Sequence, residues 1–339
     1  MPTTYAVPNG RTAFNPVLYT GTSATQSITG VGFQPDFVWL KARSGAFQHG
    51  QFDAVRGATK GLVSNTTDAE TTFSAVTSFN SNGFTNGTDY NNSGTTYVSW
   101  NWKANGAGSS NTAGSITSTV SANTTAGFSV VTYTGTGANA TIGHGLGAVP
   151  KMIIVKDRTS ALNWRVYHVS TGNDGGMFLN TTGAYASNSG MWNSTTPTST
   201  VFTVGTDQGT NFSTDSFVAY CFAEVAGYSA FGSYTGNGST DGPFIYTGFK
   251  PAFVVVKRTN TTGDWPMVDS TRDPYNVAQY GLYANSSISE ASFGSPTPMY
   301  DFNSNGFKIR NTFANTNASG GTYIYMAFAS NPFKYANAG

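Results

Sequence analysis

The sequence predicts an all-β protein built from three tandem β-sandwich modules of jelly-roll-like type. Three observations predict this. The composition is aromatic and uncharged: 14% of the 339 residues are Phe, Trp or Tyr, 10% are charged, and 40 are glycine. Thr, Val, Ile, Tyr and Phe suit pleated strands, while Gly, Asn, Ser and Asp suit the turns between them. The Gly-x-y period of collagen, the charge excess of a disordered tail and the helical spacing of a bundle are all missing. The second observation is internal repetition. The third is the repeat length of about 100 residues, enough for a sandwich of seven or eight short strands with its own core.

The repeats define the elements in order. Tyr-Thr-Gly occurs at Tyr19, Tyr133 and Tyr234. A proline follows 16 or 17 residues later, at Pro35, Pro150 and Pro251, and a lysine six residues after that, at Lys41, Lys156 and Lys257. The segments between read as strands of five or six residues, each entered from a proline that cannot donate to a ladder. Eighteen residues after the proline lie Asp53, His168 and Asp269, with Arg56 and Arg272 three further on and Thr171 in the middle repeat. Next come an apolar piece ending in Asn65, Asn180 or Asn285, then Glu70, Tyr185 or Glu290. Each repeat closes on a strong strand, with Tyr97 and Trp102, Phe217 and Phe222, or Tyr323 and Phe328 five residues apart.

The expected organisation is an N-terminal docking arm at 1–15, modules at 16–104, 123–228 and 229–339, and a linker at 105–122. The Gly- and Ser-rich composition from Asn105 to Gly114 makes that linker flexible and polar. Aromatics between Ala223 and Tyr234 instead dock the second module rigidly on the third, leaving the first tethered. The arm is expected to order only on a larger particle.

With a formal charge of +1, the chain shows no electrostatic footprint for nucleic acid. No apolar run reaches the roughly 18 residues of a membrane-spanning helix, and no secretory signal opens the chain, so membrane insertion is not expected. The single cysteine, Cys221, sits in an apolar run and reads as a buried strand residue.

Sequence chemistry is sparse. The phosphate loop, the nucleophile elbow, zinc-type clusters and the EF-hand loop are absent. Gly143 to Gly147 is glycine-rich but precedes a strand, so it reads as a turn. His49, His144 and His168 occupy non-equivalent places. No catalytic, cofactor-binding or metal residue is therefore assigned, and no cofactor is expected. The pairs Asp53 with Arg56 and Asp269 with Arg272 have two readings: a grip on a sugar hydroxyl, or a structural pair fixing a turn. Repetition favours the structural reading, and Pro35, Pro150 and Pro251 are structural positions of the same kind. Trp100 and Trp102 share one face of a strand, either core or stacking platform. Candidate surface or ligand contacts are Trp192, in a loop-like stretch, and Trp265 with Asp269 and Arg272.

The stretches Gly143 to Arg158, Ser233 to Pro251 and Gly320 to Phe328 resemble a repeat family of tailed-bacteriophage virion proteins, labelled tail-fibre-like or virion structural proteins of aquatic phages. The resemblance covers residues 126–339 well and 16–104 more loosely. It implies a non-enzymatic structural protein on the virion exterior, assembled in the host cytoplasm, in a tail fibre or tail-associated adhesion role. Capsid decoration and a carbohydrate-binding module contacting host surface glycans are the alternatives. Expected partners are other virion proteins and host cell-surface glycans, with a homo-oligomer, a trimer, as a further expectation that no coiled coil or β-helix in the sequence enforces.

Overall fold

A computed structural model describes residues 4–292 and 299–332. It contains three large antiparallel sheets, each faced by a small one. In the first, the strand order is Phe14–Thr20, Thr96–Trp102, Phe37–Ala42, Gly50–Asp53, Lys60–Val63 and Thr71–Thr72. The second repeats this order with Phe128–Thr134, Ser216–Ala223, Pro150–Asp157, Arg165–His168, Gly172–Phe178 and Ala186–Ser187. The third repeats it again with Ser229–Thr235, Thr322–Pro332, Phe249–Arg258, Pro266–Asp269, Tyr280–Tyr283 and Ala291–Ser292. The small sheets pair Gln26–Thr29 with Gly83–Asn86, Ala140–Gly143 with Val201–Val204, and Phe244–Tyr246 with Gly306–Ile309.

The central strands are hydrophobic without alternation because both faces of each large sheet are buried. On the outer faces Val38 and Leu40, Ile153 and Val155, and Val254 and Val256 pack under the small sheets in three separate clusters. The inner faces of all three sheets meet in one common core. Trp102, Phe222 and Phe328 occupy the same place in the three closing strands. Their rings meet edge to face in a triangle, with centroids 6.4, 5.9 and 5.7 Å apart.

The five-residue spacing of the closing strands now has a cause. An odd spacing puts the two aromatics on opposite faces. Trp102, Phe222 and Phe328 point to the common core, while Tyr97, Phe217 and Tyr323 stack on Tyr19, Tyr133 and Tyr234 at 5.0, 5.2 and 4.9 Å. The Tyr-Thr-Gly hydroxyls then donate to the carbonyls of Tyr90, Thr210 and Thr316. The glycine two residues on is required, because a Cβ there would collide with the carbonyl oxygen of Asn92, Phe212 or Ala318.

Of the strands after the prolines, the first has the expected six residues, while the second and third run longer, to eight and ten. Pro150 opens its strand and Pro251 lies inside its own, and the ladder shifts register at both, where the missing N–H would otherwise leave a gap. Pro35 is buried just ahead of its strand.

Two expectations about the joints are corrected. Residues 105–122 are not a loose tether: Ser109–Asn111 and Ser118–Asn123 pair with each other and extend the second sheet along Phe128–Thr134. Their Ser- and Thr-rich composition hides Ile116 and Val120, which bury in the second outer core. Gly108, at φ +81°, has no room for a Cβ, which would lie 2.9 Å from the Val120 carbonyl. Nor is the first module tethered, because Phe37, Trp100 and Trp102 belong to the common core. The N-terminal arm also differs from its expectation. Its residues 1–3 lie outside the described residues, but Val7 and Ala13 pack in the same core without any particle, after which Asn9 caps a short Gly10–Thr12 turn.

Candidate functional site

The repeated charged residues come together at the boundaries between sheets. After the strand Gly50–Asp53, Asp53 Oδ1 accepts from the backbone N–H groups of Val55 and Arg56, which forms the turn. Its Oδ2 accepts from Arg56 Nε at 2.5 Å and from the Tyr220 hydroxyl of the second sheet at 2.9 Å. Arg56 also donates to Tyr220 Oη, Gln51 O and Glu70 Oε2 at 3.1, 3.0 and 3.0 Å. Glu70 in turn takes a bidentate pair from Arg158 of the second sheet, 2.9 Å on each arm. Burial alone would lower the pKa of Arg56, but Asp53, Tyr220 and Glu70 hold it above its ordinary value. Burial opposes ionisation of Glu70, yet Arg158 and Arg56 bring its pKa below the ordinary carboxylate value.

The third sheet docks on the first in the same manner. Asp269 Oδ2 accepts from Arg272 Nε at 2.5 Å and from Trp100 Nε1 at 3.0 Å. Arg272 reaches Glu290, and Glu290 pairs with Arg43. Between the second and third sheets the network is neutral. His168 stands in the aspartate's place and its Nε2 lies 3.2 Å from the Tyr325 carbonyl. The residue in the Trp100 and Tyr220 position is Met326, which has no donor to offer a carboxylate.

Backbone contacts follow the same cycle. Glu70 N donates to Arg158 O, Tyr185 N to Thr259 O, and Glu290 N to Arg43 O. Trp164 Nε1 donates to Val63 O and Trp265 Nε1 to Phe178 O, while His49 in the equivalent place faces the backbone of Tyr283 and Ser286. Asn65, Asn180 and Asn285 fix these three residues by accepting from the backbone N–H of His49, Trp164 and Trp265. The first sheet thus docks on the second, the second on the third and the third on the first. A head-to-tail contact that closes after three units is a ring with approximate threefold symmetry.

The expected surface contacts are corrected accordingly. Trp192 is 2% exposed and its Nε1 donates to Gly175 O, because the loop carrying it folds back over Gly176. Trp265, Asp269 and Arg272 are buried in the boundary just described. The Asp–Arg pairs, at Asp53 and Arg56 as at Asp269 and Arg272, are occupied by one another and by the neighbouring sheet. The repeated lysines Lys41, Lys156 and Lys257 are buried as well. Each donates to backbone carbonyls, and burial pushes each down to about 8. Cys221 is buried, and burial raises its thiol pKa. Among the described residues no three His, Cys, Asp or Glu side chains gather as metal ligands.

Not anticipated from the sequence is a groove of about 530 Å³ on the outer face of the first large sheet. Phe47, Phe73 and Tyr90 supply its aromatic surfaces, and Gln48, Asp89 and Asn92 its polar groups. Gly50 and Gly61 lie beneath the Tyr90 and Phe73 rings. A Cβ on Gly50 would stand 2.7 Å from the Tyr90 ring, and one on Gly61 would collide with Phe73. Phe52, Phe73 and Tyr90 brace one another edge to face at 5.8, 6.2 and 6.1 Å. Gly50 is the available signal, since Arg165 and Pro266 hold its place in the other repeats.

A family model described as a domain of unknown function (DUF7483) matches residues 10–332, nearly the whole chain, and the chain belongs to that family. No curated protein matches it.

Proposed function

We propose that this member of the DUF7483 family is a non-catalytic structural protein displayed on the exterior of a bacteriophage particle, in a tail fibre or tail-associated adhesion role. The observation that carries this reading is the closed ring. Its repeated carboxylates and guanidiniums tie the three sheets into one body. Such a body is stapled by buried ion pairs and a shared aromatic core, without disulfides, which suits a protein assembled in a reducing cytoplasm and exposed outside it. The resemblance of residues 126–339 to phage virion repeats supports the same setting.

The ring also favours a threefold partner. One chain presents a threefold arrangement that otherwise needs three copies. It therefore matches a trimeric fibre or a threefold point of a capsid as a single molecule, which keeps head decoration as the second reading. Quantitative mass spectrometry of purified particles tests both. Roughly six to eighteen copies per particle place the protein in the tail, and hundreds place it on the head. Absence from the particle refutes the reading. Deleting the arm up to Pro8 is expected to reduce incorporation, and the melting temperature must be measured alongside because Val7 belongs to the core.

A further inference from the structure

The three outer faces are not equally open. In the second sheet the place of Gly50 is taken by Arg165, whose Nε pairs with Asp207 at 2.8 Å and whose guanidinium lies 4.7 Å from the Phe178 ring. Gly209 makes room for that guanidinium, and the site is filled. In the third sheet Pro266 takes the place, and the concavity beside Tyr283 and Phe313 is about 260 Å³. Asn315 in its lining is tied to Asp264 on both its amide atoms.

A loop difference opens the first site. Asn91, Asn211 and Asn317 each donate back to a backbone carbonyl, of Gly87, Gly205 and Asn311. The loop so closed is two residues shorter in the first repeat. The short helices Gln208–Asn211 and Ala314–Asn317 have no counterpart there. Tyr90 instead takes φ +53°, held by Tyr19 and Asn86 on its carbonyl, and leans over Gly50.

We infer that this groove of the first sheet binds a neutral glycan. Aromatic faces set at angles accept the apolar face of a pyranose, and planar amides and a carboxylate pair with its hydroxyls. Phe47 is 40% exposed, so a ring is presented to solvent at the mouth. Asp89 accepts from the Ser74 N–H on Oδ2, and among the described residues no hydrogen bond reaches its Oδ1. The lining carries one acid and no base, which disfavours phosphate or carboxylate ligands. Rings braced against one another and seated on Gly50 and Gly61 are preorganised, so little ordering is lost on binding. The site deepens the exterior-display reading and rests on it for its biological setting.

Saturation-transfer NMR on the whole chain tests it, with a panel of neutral glucose-, galactose- and mannose-containing disaccharides. Sialyllactose, glucose 6-phosphate and choline serve as charged probes. The expected result is binding of at least one neutral disaccharide and none of the charged probes. Phe47→Ala and Asn92→Ala should each weaken that binding tenfold or more at unchanged melting temperature. Silence across the neutral panel, preference for a charged probe, or binding that survives both substitutions would overturn the assignment. The experiment needs no particle, so a negative result removes the ligand while the copy-number measurement stands or falls separately.

Discussion

The Tyr220 hydroxyl donates to Asp53 Oδ2 at 2.9 Å across the boundary between the second and first sheets. Trp100 makes the matching bond to Asp269. At the third boundary Met326 holds the donor's position and His168 the acceptor's. The middle repeat therefore lacks Asp and Arg because its neighbour lacks a donor, and a carboxylate there would be buried unpaired. His168→Asp should cost about 3 kcal/mol, the price of an uncompensated buried charge. Adding Thr171→Arg and Met326→Tyr rebuilds the network and should return at least 1 kcal/mol of that. Urea midpoints of the two variants decide it. A triple variant no more stable than the single one would show that side-chain pairing does not set these identities.

Burial separates the arginines at these boundaries into two classes. Arg56 and Arg272 have fully buried side chains with a carboxylate on either side. Truncating either to Ala leaves Asp53 or Asp269 buried without its cation and should cost about 3–5 kcal/mol. Arg43 and Arg158 are 21% and 23% exposed, and Arg→Ala there should cost about 1 kcal/mol or less. Equal losses at Arg56 and Arg158 in chemical denaturation would contradict this ranking.

A shared core makes the three sheets one cooperative unit. Removing the first repeat uncovers Tyr220, against which Phe37 stacks at 4.2 Å, together with Phe222, Phe253 and Phe328. Calorimetry of the whole chain should show a single transition with the calorimetric enthalpy equal to the van't Hoff enthalpy. A fragment of residues 126–339 should bind a hydrophobic dye and aggregate. Separate transitions, or a well-behaved monomeric fragment, would mean that the sheets fold independently.

What could be read in the sequence follows from what repeats. The Tyr-Thr-Gly, proline and Asp-x-x-Arg positions are single-residue demands of one strand order used three times, so their spacing survives. The ring was hidden because its contacts join different members of equivalent pairs, such as Trp100 with Asp269 and Tyr220 with Asp53. No period in a single chain reports which copy faces which. Polar strands such as Ser118–Asn123 were hidden because Ser and Thr serve turns and edges alike. Trp192 read as exposed because its flanking residues are turn formers, although its ring is drawn inward over Gly176. The groove was hidden because it arises where the first repeat departs from the others.

The buried cations set an unusual pH profile. Lys41, Lys156 and Lys257 are pushed down to about 8 by burial, whereas a lysine in the unfolded chain titrates near 10.4. Below pH 8 both states carry the charge and stability does not change on this account. Between pH 8 and about 10.4 the unfolded chain holds more protons, so stability rises with pH. Histidine acts in the same direction at lower pH. His168 is pushed down to about 4 by burial, so its contribution is lost as pH falls from about 6.5 to 4. The tyrosines oppose this at the alkaline end. Burial raises Tyr133 and Tyr220 well above their ordinary value, so above about pH 10 the unfolded chain releases protons that the native one keeps, and stability falls. The melting temperature should therefore climb from pH 5 to about 6.5, stay level to about pH 8, then climb again and peak at about pH 9–10, above the usual optimum of about pH 5–8. Lys257→Met should flatten the climb between pH 8 and 10 while leaving the acid limb in place. A melting temperature that falls steadily from pH 7 to 10 would show that the three lysines are not held in depressed-pKa sites.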